Sequence, residues 1–286
     1  MKRITIIVSS AVLLCSCNWF SNRHYVPSSQ IPEDTIDVYL VGGQSNADGR
    51  VFSQYPDFVK NKKVDSVYVW ERKQKEFGTY QLGPGSEYLS GSDVKNSNAF
   101  SFDIIALKQL QRKENKNIYI IKRTKGNTSV AAKTPGTTGS WHYPVSDTMS
   151  KPILLEEFKK EIQDCVEQLA AHKKTVRFKA LLWHQGEGDY QPPFDAQYFE
   201  NTKAIFEQIR LYSGNQNLPI ILGSISHKSA QFSGVVEASQ KKLAETDSNI
   251  HLIDLSNETL QDPYHFDYNA IMNFGNKVYA VLKDIK

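Results

Sequence analysis

Ser45 is the first of the side chains whose place in the sequence indicates chemistry. It follows the apolar run 36–41 and the pair Gly42 and Gly43, in the segment VGGQSN. A serine hydroxyl becomes a nucleophile when a base takes its proton, and a backbone N–H at the start of a helix or turn can stabilise an oxyanion. Taken alone, GQSN is better explained as a helix-capping serine. The choice depends on which other groups the fold brings to the same place.

Amide, carboxylate and imidazole groups follow a second apolar run, in the segment ALLWHQGEGD. Gln185 offers a neutral donor that suits a developing negative charge, and Glu187 offers a carboxylate that can orient a histidine. His184, Glu187 and Asp189 could instead bind a metal, but no second histidine stands at ligand spacing such as HExxH. The segment therefore favours oxyanion or acid–base chemistry over a metal site.

Asp262 and His265 stand three residues apart in a third segment, DPYHFD, close to the C-terminus. A turn at Pro263 can bring the carboxylate beside the imidazole and fix its tautomer, which leaves the other ring nitrogen free to accept a serine proton. Taken alone, the segment is better explained by a turn-forming aspartate and a surface histidine. The pair gains weight only together with the other two segments.

Apolar runs that alternate with amphipathic segments must position these side chains. Strands are predicted at 36–41, 64–70, 117–122, 176–183, 219–225 and 250–255, and helices around 100–110, 155–169, 204–211, 235–243 and 271–282. Such alternation predicts an α/β fold with a parallel sheet covered on both faces, whose reactive groups lie beyond the carboxyl ends of the strands. The Gly- and Ser-rich segments 72–98 and 124–150 lack periodicity, which predicts site-forming loops.

The composition is that of a globular domain with a short leader. The chain has 286 residues, of which 40% are hydrophobic and 23% charged, which excludes a disordered, collagen-like or multi-span membrane protein. The 34 basic and 31 acidic residues give a net charge of +3, and without Lys2 and Arg3 the excess is only +1. So small an excess argues against nucleic acid as a partner. Three cysteines cannot build a disulfide framework.

The N-terminus has the pattern of a secretory signal peptide, which we assign to residues 1–16. A basic start precedes the uncharged run 4–14, which is too short to cross a hydrocarbon layer about 30 Å thick. The sequence Leu14-Cys15-Ser16-Cys17 resembles the lipobox of bacterial lipoproteins, which implies lipidation of Cys17. The alternative is a plain secreted protein cut near Ser16. Residues 17–35 are then the lipidated N-terminus and a polar tether, and residues 36–286 a single domain. The predicted location is beyond the inner membrane of a bacterium, periplasmic or on the outer-membrane surface, and held there by the lipid.

In combination, the segments GQSN, WxQGExD and DxxH, in this order, resemble the SGNH hydrolase superfamily. More narrowly, they resemble its branch of carbohydrate esterases, which includes sialate O-acetylesterases and acetylxylan esterases. The resemblance covers residues 36–285. It implies a three-layer α/β/α sandwich of the flavodoxin-like type and hydrolysis of acyl esters, usually acetyl groups, on sugars.

The resemblance assigns roles to individual residues of this chain. Ser45 matches the nucleophile, His265 the general base and Asp262 the acid that orients it, with Glu187 as the alternative acid. Gln185 matches an oxyanion-hole side chain, beside the N–H of Ser45 itself. The family's GPExxFA block corresponds here to SNAFSF at 97–102, without its glycine, so that Ser97 or Asn98 would supply the second backbone N–H. Ala47 replaces the usual methionine after GQSN.

Substrate contacts are expected from loops at the same sheet edge. The segment KGNTSVA resembles a pocket-lining loop of the family, with Asn127 and Thr128 nearest the acyl group, and Gln44 adjoins the nucleophile. Four aromatic side chains could stack on sugar rings, although loop packing explains them equally well: Trp141, Tyr143, Tyr190 and Tyr264.

The sequence therefore predicts a serine esterase that removes O-acetyl groups from glycans or sialic acids without a metal or organic cofactor. Two alternatives remain. One is a glycan-binding lipoprotein that keeps the fold without the chemistry. The other is a lipase or phospholipase of the SGNH type, which would need a strongly apolar acyl cleft.

Overall fold

The computed structural model describes residues 25–51, 54–82, 99–146 and 148–285 of the chain. Its strands are β1 (Tyr25–Val26), β2 (Thr35–Gly43), β3 (Lys63–Glu71), β4 (Glu76–Gln81), β5 (Ile118–Thr124), β6 (Thr175–His184), β7 (Ile220–Gly223) and β8 (Ile250–Ile253). Its α-helices are α1 (Ser45–Asp48), α2 (Phe102–Glu114), α3 (Leu154–Ala171), α4 (Tyr198–Ser213), α5 (Gly234–Thr246) and α6 (Tyr268–Leu282). Every predicted strand and helix is present, with boundaries that differ by a few residues.

The strands form one sheet in the order β1-β4-β3-β5-β2-β6-β7-β8. From β3 to β8 all neighbours in this order are parallel. Strand β4 is antiparallel to both β3 and β1. The predicted parallel sheet is therefore present at the centre, and the prediction is corrected at one edge, where a hairpin and a short strand are added.

The central strand β2 shows why the sheet needs helices on both faces. Tyr39 and Val41 pack into one apolar cluster, and Val38 and Leu40 pack into another. Successive side chains of a strand point to opposite faces, so a strand that is buried on both faces reads as a continuous apolar run. Helices α2 and α6 cover the first face, and α3, α4 and α5 cover the second. The structure confirms the predicted three-layer α/β/α architecture.

The strand order locates the edge where a site is expected. Of the six parallel strands, the five from β5 to β8 follow the 2-1-3-4-5 order of flavodoxin-like sheets, and β3 adds a further parallel strand beyond β5. After β2 the chain builds β3, β4 and β5 on one side of this strand, and it later adds β6, β7 and β8 on the other side, so the direction of winding reverses between β2 and β6. Ligands of open α/β sheets bind beyond the carboxyl ends of the strands at such a reversal. Ser45 lies two residues after the end of β2, and Glu187 lies three residues after the end of β6.

Two parts of the fold were not expected from the sequence. Strand β4 lies in the segment 72–98, which was predicted to be a loop throughout. Within the predicted tether, Ile31 is buried in the core and β1 pairs with β4. Parts of the segment 25–35 therefore pack with the sheet and its core.

The predictions for the leader, including lipidation of Cys17, concern residues outside the described ranges. Among the helices that the structure describes, none is both long enough and apolar enough to cross a membrane.

Candidate active site

Ser45 opens helix α1 at the end of the central strand. Gly43 has a φ of +138°, and a methyl group added there would lie 2.1 Å from the carbonyl oxygen of His184 on the adjoining strand. Only glycine fits so close a backbone approach, and it lets the chain turn from β2 into α1. The Ser45 N–H belongs to the first helical turn, where backbone donors have no partner within the helix. Ser45 thus presents a hydroxyl and an N–H together at the sheet edge.

His265 and Asp262 form the predicted pair. The Nδ1 atom of His265 lies 2.8 Å from Asp262 Oδ2. Asp262 Oδ1 accepts hydrogen bonds from the backbone N–H groups of Tyr264 and His265, each at 2.8 Å. Partial burial acts to raise the pKa of Asp262, but the hydrogen bonds from the His265 ring and the two N–H groups outweigh it and lower that pKa below its usual value. The ionised carboxylate fixes a hydrogen on Nδ1 and leaves Nε2 as the basic nitrogen of His265.

Asn46, the residue next to Ser45, is hydrogen-bonded to the loop that carries His265. Its Nδ2 donates to the carbonyl oxygen of Tyr264 at 3.2 Å, and its Oδ1 accepts from the N–H of Phe266 at 3.1 Å. These two bonds hold the chain on either side of His265. Sequence reasoning missed Asn46, although it belongs to the GQSN segment, because its partners lie about 220 residues further along the chain.

Glu187 contacts Asn46. Its Oε1 accepts from Asn46 Nδ2 at 2.9 Å and lies 3.6 Å from His184 Nδ1. Glu187 is almost completely buried. Of the two acids considered for orienting His265, Asp262 is the one whose carboxylate is hydrogen-bonded to the ring.

The geometry of Gln185 does not fit the predicted oxyanion-hole role. Its Nε2 donates to Asp189 Oδ2 at 2.8 Å and to the carbonyl oxygen of Thr128 at 3.1 Å. The side chain has no exposed surface. A primary amide has two N–H hydrogens, and both are directed to partners inside the protein. Gln185 therefore braces the neighbouring loop, and we correct the prediction accordingly.

Asp189 fastens the loop that follows β5. Its carboxylate accepts from the backbone N–H groups of Val130 and Ala131 at 2.9 and 3.0 Å, in addition to Gln185. Complete burial raises its pKa to about 6, and the charge of Glu187 acts in the same direction, against the hydrogen bonds that lower it. Asp189 thus has a structural role in holding this loop. His184 Nε2, on the neighbouring strand end, lies 3.2 Å from the carbonyl oxygen of Ser224.

An Asp189→Asn variant should reveal this raised pKa in the pH dependence of stability. A carboxyl group with a raised pKa in the folded protein adds stability that is complete below its unfolded pKa, near 4, and lost as the pH rises through about 6. Asparagine does not titrate. The free energy of unfolding of the wild type minus that of the variant should therefore be about 2 kcal/mol larger at about pH 4.5 than at about pH 7.5. Urea unfolding of both proteins across that range measures the difference. A difference that stays constant or shrinks toward acid pH would contradict the raised pKa.

Three residues predicted to contact substrate are instead enclosed by the protein. Trp141 is fully buried and packs edge-on against Trp183 and Phe158. Thr128 is also fully buried, and its hydroxyl donates to the carbonyl oxygen of Lys125. The buried Gln44 accepts from the N–H of Gly188 at 3.1 Å. All three support the walls of the site, and their prediction as contact residues is wrong.

The two other predicted contact residues, Tyr264 and Asn127, remain accessible. Tyr264 is 43% exposed beside His265. Asn127 is exposed, although its amide donates to the carbonyl oxygen of Gly136 at 2.7 Å. Asn98, the predicted source of a second oxyanion N–H, is outside the described residues.

A buried arginine beside Ser45 was also missed. Arg50 Nη1 donates to Asp48 Oδ2 at 3.0 Å and to the carbonyl oxygen of Gly49 at 2.7 Å. A methyl group added to Gly126 would lie 2.7 Å from Arg50 Nη2 and 3.4 Å from Ser45 Cβ. The guanidinium therefore lies close to the nucleophile candidate, with its charge balanced by Asp48. Its position five residues after Ser45, in GQSNADGR, is the signal that sequence reasoning could have used.

The α/β/α fold places a serine after the central strand and an Asp-x-x-His pair before the last helix, the arrangement that the sequence resemblance to SGNH hydrolases implies. Residues 35–283 match the model of the family described as carbohydrate esterase, sialic acid-specific acetylesterase. The match spans most of the chain, and the chain belongs to this family. No curated protein has a significantly similar sequence.

Solved structures share the fold at low sequence identity. A protein from Arabidopsis thaliana aligns with a TM-score of 0.63 and 16% identity over 87% of this chain and 99% of its own. The protein NanS aligns at 0.59 and 13%, over 87% and 97% of the two chains. A carbohydrate acetylesterase from Xanthomonas citri aligns at 0.55 and 14%, over 87% of this chain and 56% of its own.

Proposed function

We propose that this carbohydrate esterase removes O-acetyl groups from glycans by two-step acyl transfer through Ser45, His265 and Asp262. The hydrogen bond of 2.8 Å between Asp262 and His265 carries the proposal. Asn46 supports it, because this neighbour of Ser45 holds both flanks of His265.

In the first step, His265 Nε2 takes the hydroxyl proton of Ser45 as its Oγ attacks the acetyl carbonyl carbon. The carbonyl oxygen becomes an oxyanion and accepts a hydrogen bond from the Ser45 N–H. When the tetrahedral intermediate collapses, the bond to the sugar oxygen breaks, and that oxygen receives the proton from His265. The products are the deacetylated sugar and an acetylated Ser45.

In the second step, water replaces the sugar. His265 takes a proton from the water as its oxygen attacks the acetyl carbon, and the same N–H stabilises the second oxyanion. Collapse releases acetate and returns the proton to Ser45 Oγ. The side chains of this chain account for each proton transfer. The backbone N–H of Asn98 remains our proposed second oxyanion donor.

An acetylated sugar is the substrate class that we favour, with acetylated sialic acids among the candidates. The family description supports a carbohydrate, and the exposed Tyr264 beside His265 offers an aromatic face on which a sugar ring can stack.

Acetate release from a panel of substrates tests this proposal. We expect release from O-acetylated sialic acids or from acetylated xylan or xyloglucan, and faster hydrolysis of p-nitrophenyl acetate than of its octanoate ester. Preference for the octanoate ester would favour the lipase alternative. An absence of acetate release, together with no labelling of Ser45 by a fluorophosphonate, would favour the glycan-binding alternative.

A further inference from the structure

We propose that Asn46 and Glu187 act as a pair of positioning residues that set where His265 stands relative to Ser45. The inference rests on the proposed function and deepens it. In this pair, the reaction depends on Glu187 as a hydrogen-bond acceptor for Asn46 and does not depend on the negative charge of Glu187.

The Asn46 amide uses both of its N–H hydrogens and one acceptor position of its oxygen inside the protein. Its two Nδ2 hydrogens point to Glu187 Oε1 and to the carbonyl oxygen of Tyr264, and its Oδ1 accepts from the N–H of Phe266. Its backbone carbonyl accepts from the hydroxyl of Ser101 at 2.5 Å. The residue is buried, so water competes little for these bonds. A side chain held in this way has one position, and that position fixes the loop it binds.

The bonds of Asn46 join three parts of the fold that are far apart in sequence. Asn46 lies in α1, Glu187 lies in the turn after β6, and Tyr264 and Phe266 lie in the loop before α6. Glu187 Oε1 lies 3.6 Å from Nδ1 of His184, whose ring packs against Phe266 and Phe274. The pair therefore locks the His265 loop to the ends of the two strands at the reversal point.

Misplacement of His265 is costly for proton transfer. A shift of about 1 Å in a reacting group can lower the rate by about 10²-fold, although the protein remains folded. Asp262 cannot prevent such a shift alone, because it belongs to the same loop and moves with His265. Two hydrogen bonds of Asn46 tie this loop to the residue next to Ser45, and Gln261 Nε2 adds a bond to the carbonyl oxygen of Arg50, further from the nucleophile.

Replacing Glu187 with glutamine and with alanine separates the acceptor role from the charge. A glutamine carbonyl can still accept from Asn46 Nδ2, so Glu187→Gln should keep kcat on p-nitrophenyl acetate within about fivefold of the wild type. Glu187→Ala removes the acceptor and should lower kcat about 10²-fold, with KM changed less than about threefold. Glu245→Ala, in an exposed part of α5, is the matched control and should behave as the wild type.

A second test exchanges the amide and the carboxylate between Asn46 and Glu187, which changes the hydrogen bonding without changing the size of either side chain. Asn46→Asp keeps an acceptor for the Phe266 N–H but loses both donors and faces a second carboxylate, so kcat should fall about 10²-fold. Adding Glu187→Gln restores a donor opposite the new carboxylate, and the double variant should recover at least about tenfold. Asn269→Ala, exposed in α6, is the matched control. Non-additivity of this size is expected only for residues in direct contact.

The rate of fluorophosphonate labelling of Ser45 should follow kcat in every variant, and thermal melts show whether each is folded. Equal losses in Glu187→Gln and Glu187→Ala would overturn the proposal, because the charge would then be what matters. Wild-type activity in Asn46→Asp, or no recovery in the double variant, would overturn it as well. If the wild type itself is neither labelled nor active, the proposed function fails instead.

Discussion

Replacing Ser45 with alanine should abolish turnover of p-nitrophenyl acetate, with kcat falling about 10⁴-fold or more. The variant keeps the Cβ atom that faces Gly126, and it keeps the N–H that opens α1. It loses only the atom that forms the acyl-enzyme bond. Steady-state rates, with acetate measured separately, give the size of the loss, and covalent labelling by a fluorophosphonate should disappear with it.

A serine elsewhere provides the control for this variant. Ser248 is exposed just before β8, at the opposite end of the sheet strands from Ser45, so Ser248→Ala should keep full activity and full labelling. Retained activity in Ser45→Ala with an unchanged melting temperature would remove Ser45 from the mechanism and, with it, the proposed acyl-enzyme.

From the sequence, the points at which the backbone reaches the site could be predicted more accurately than the directions of the side chains there. Gly42 and Gly43 after an apolar run correctly predicted that Ser45 leaves the central strand, because a tight turn requires those residue types. The contact between Asp262 and His265 was also predictable, because two side chains three residues apart in a turn can adopt few relative positions.

The directions of the side chains just after a strand end are harder to predict, because residues close together in sequence can point to different sides there. Gln185 and Glu187 both follow β6. The Gln185 side chain is hydrogen-bonded to the loop after β5 and to Asp189, whereas the Glu187 side chain is hydrogen-bonded to Asn46 in α1. Trp141 illustrates the same limit, since an aromatic residue in a loop near the site can face the core. The bonds of Asn46 depend on packing between segments about 220 residues apart, for which one sequence carries no signal.

Replacing Asp262 with asparagine should lower kcat about 10³- to 10⁴-fold, while KM changes little. The asparagine carbonyl can still accept from the N–H groups of Tyr264 and His265, so the turn should persist. Its amide N–H₂ then faces His265 Nδ1 and donates to it. The imidazole must carry its own hydrogen on Nε2, which can no longer accept the proton of Ser45. The loss should therefore lie in kcat and in the rate of fluorophosphonate labelling, measured at unchanged melting temperature.

Asp254→Asn provides the control for this substitution, because Asp254 is an exposed aspartate that accepts from a backbone N–H two residues later, as Asp262 does. That variant should keep full activity. The decisive comparison is with Glu187→Gln, which leaves the carboxylate beside His265 in place. If Glu187→Gln lost more activity than Asp262→Asn, Glu187 would be the acid that orients His265. The hydrogen bond between Asp262 and His265 would then be no more than a feature of the turn.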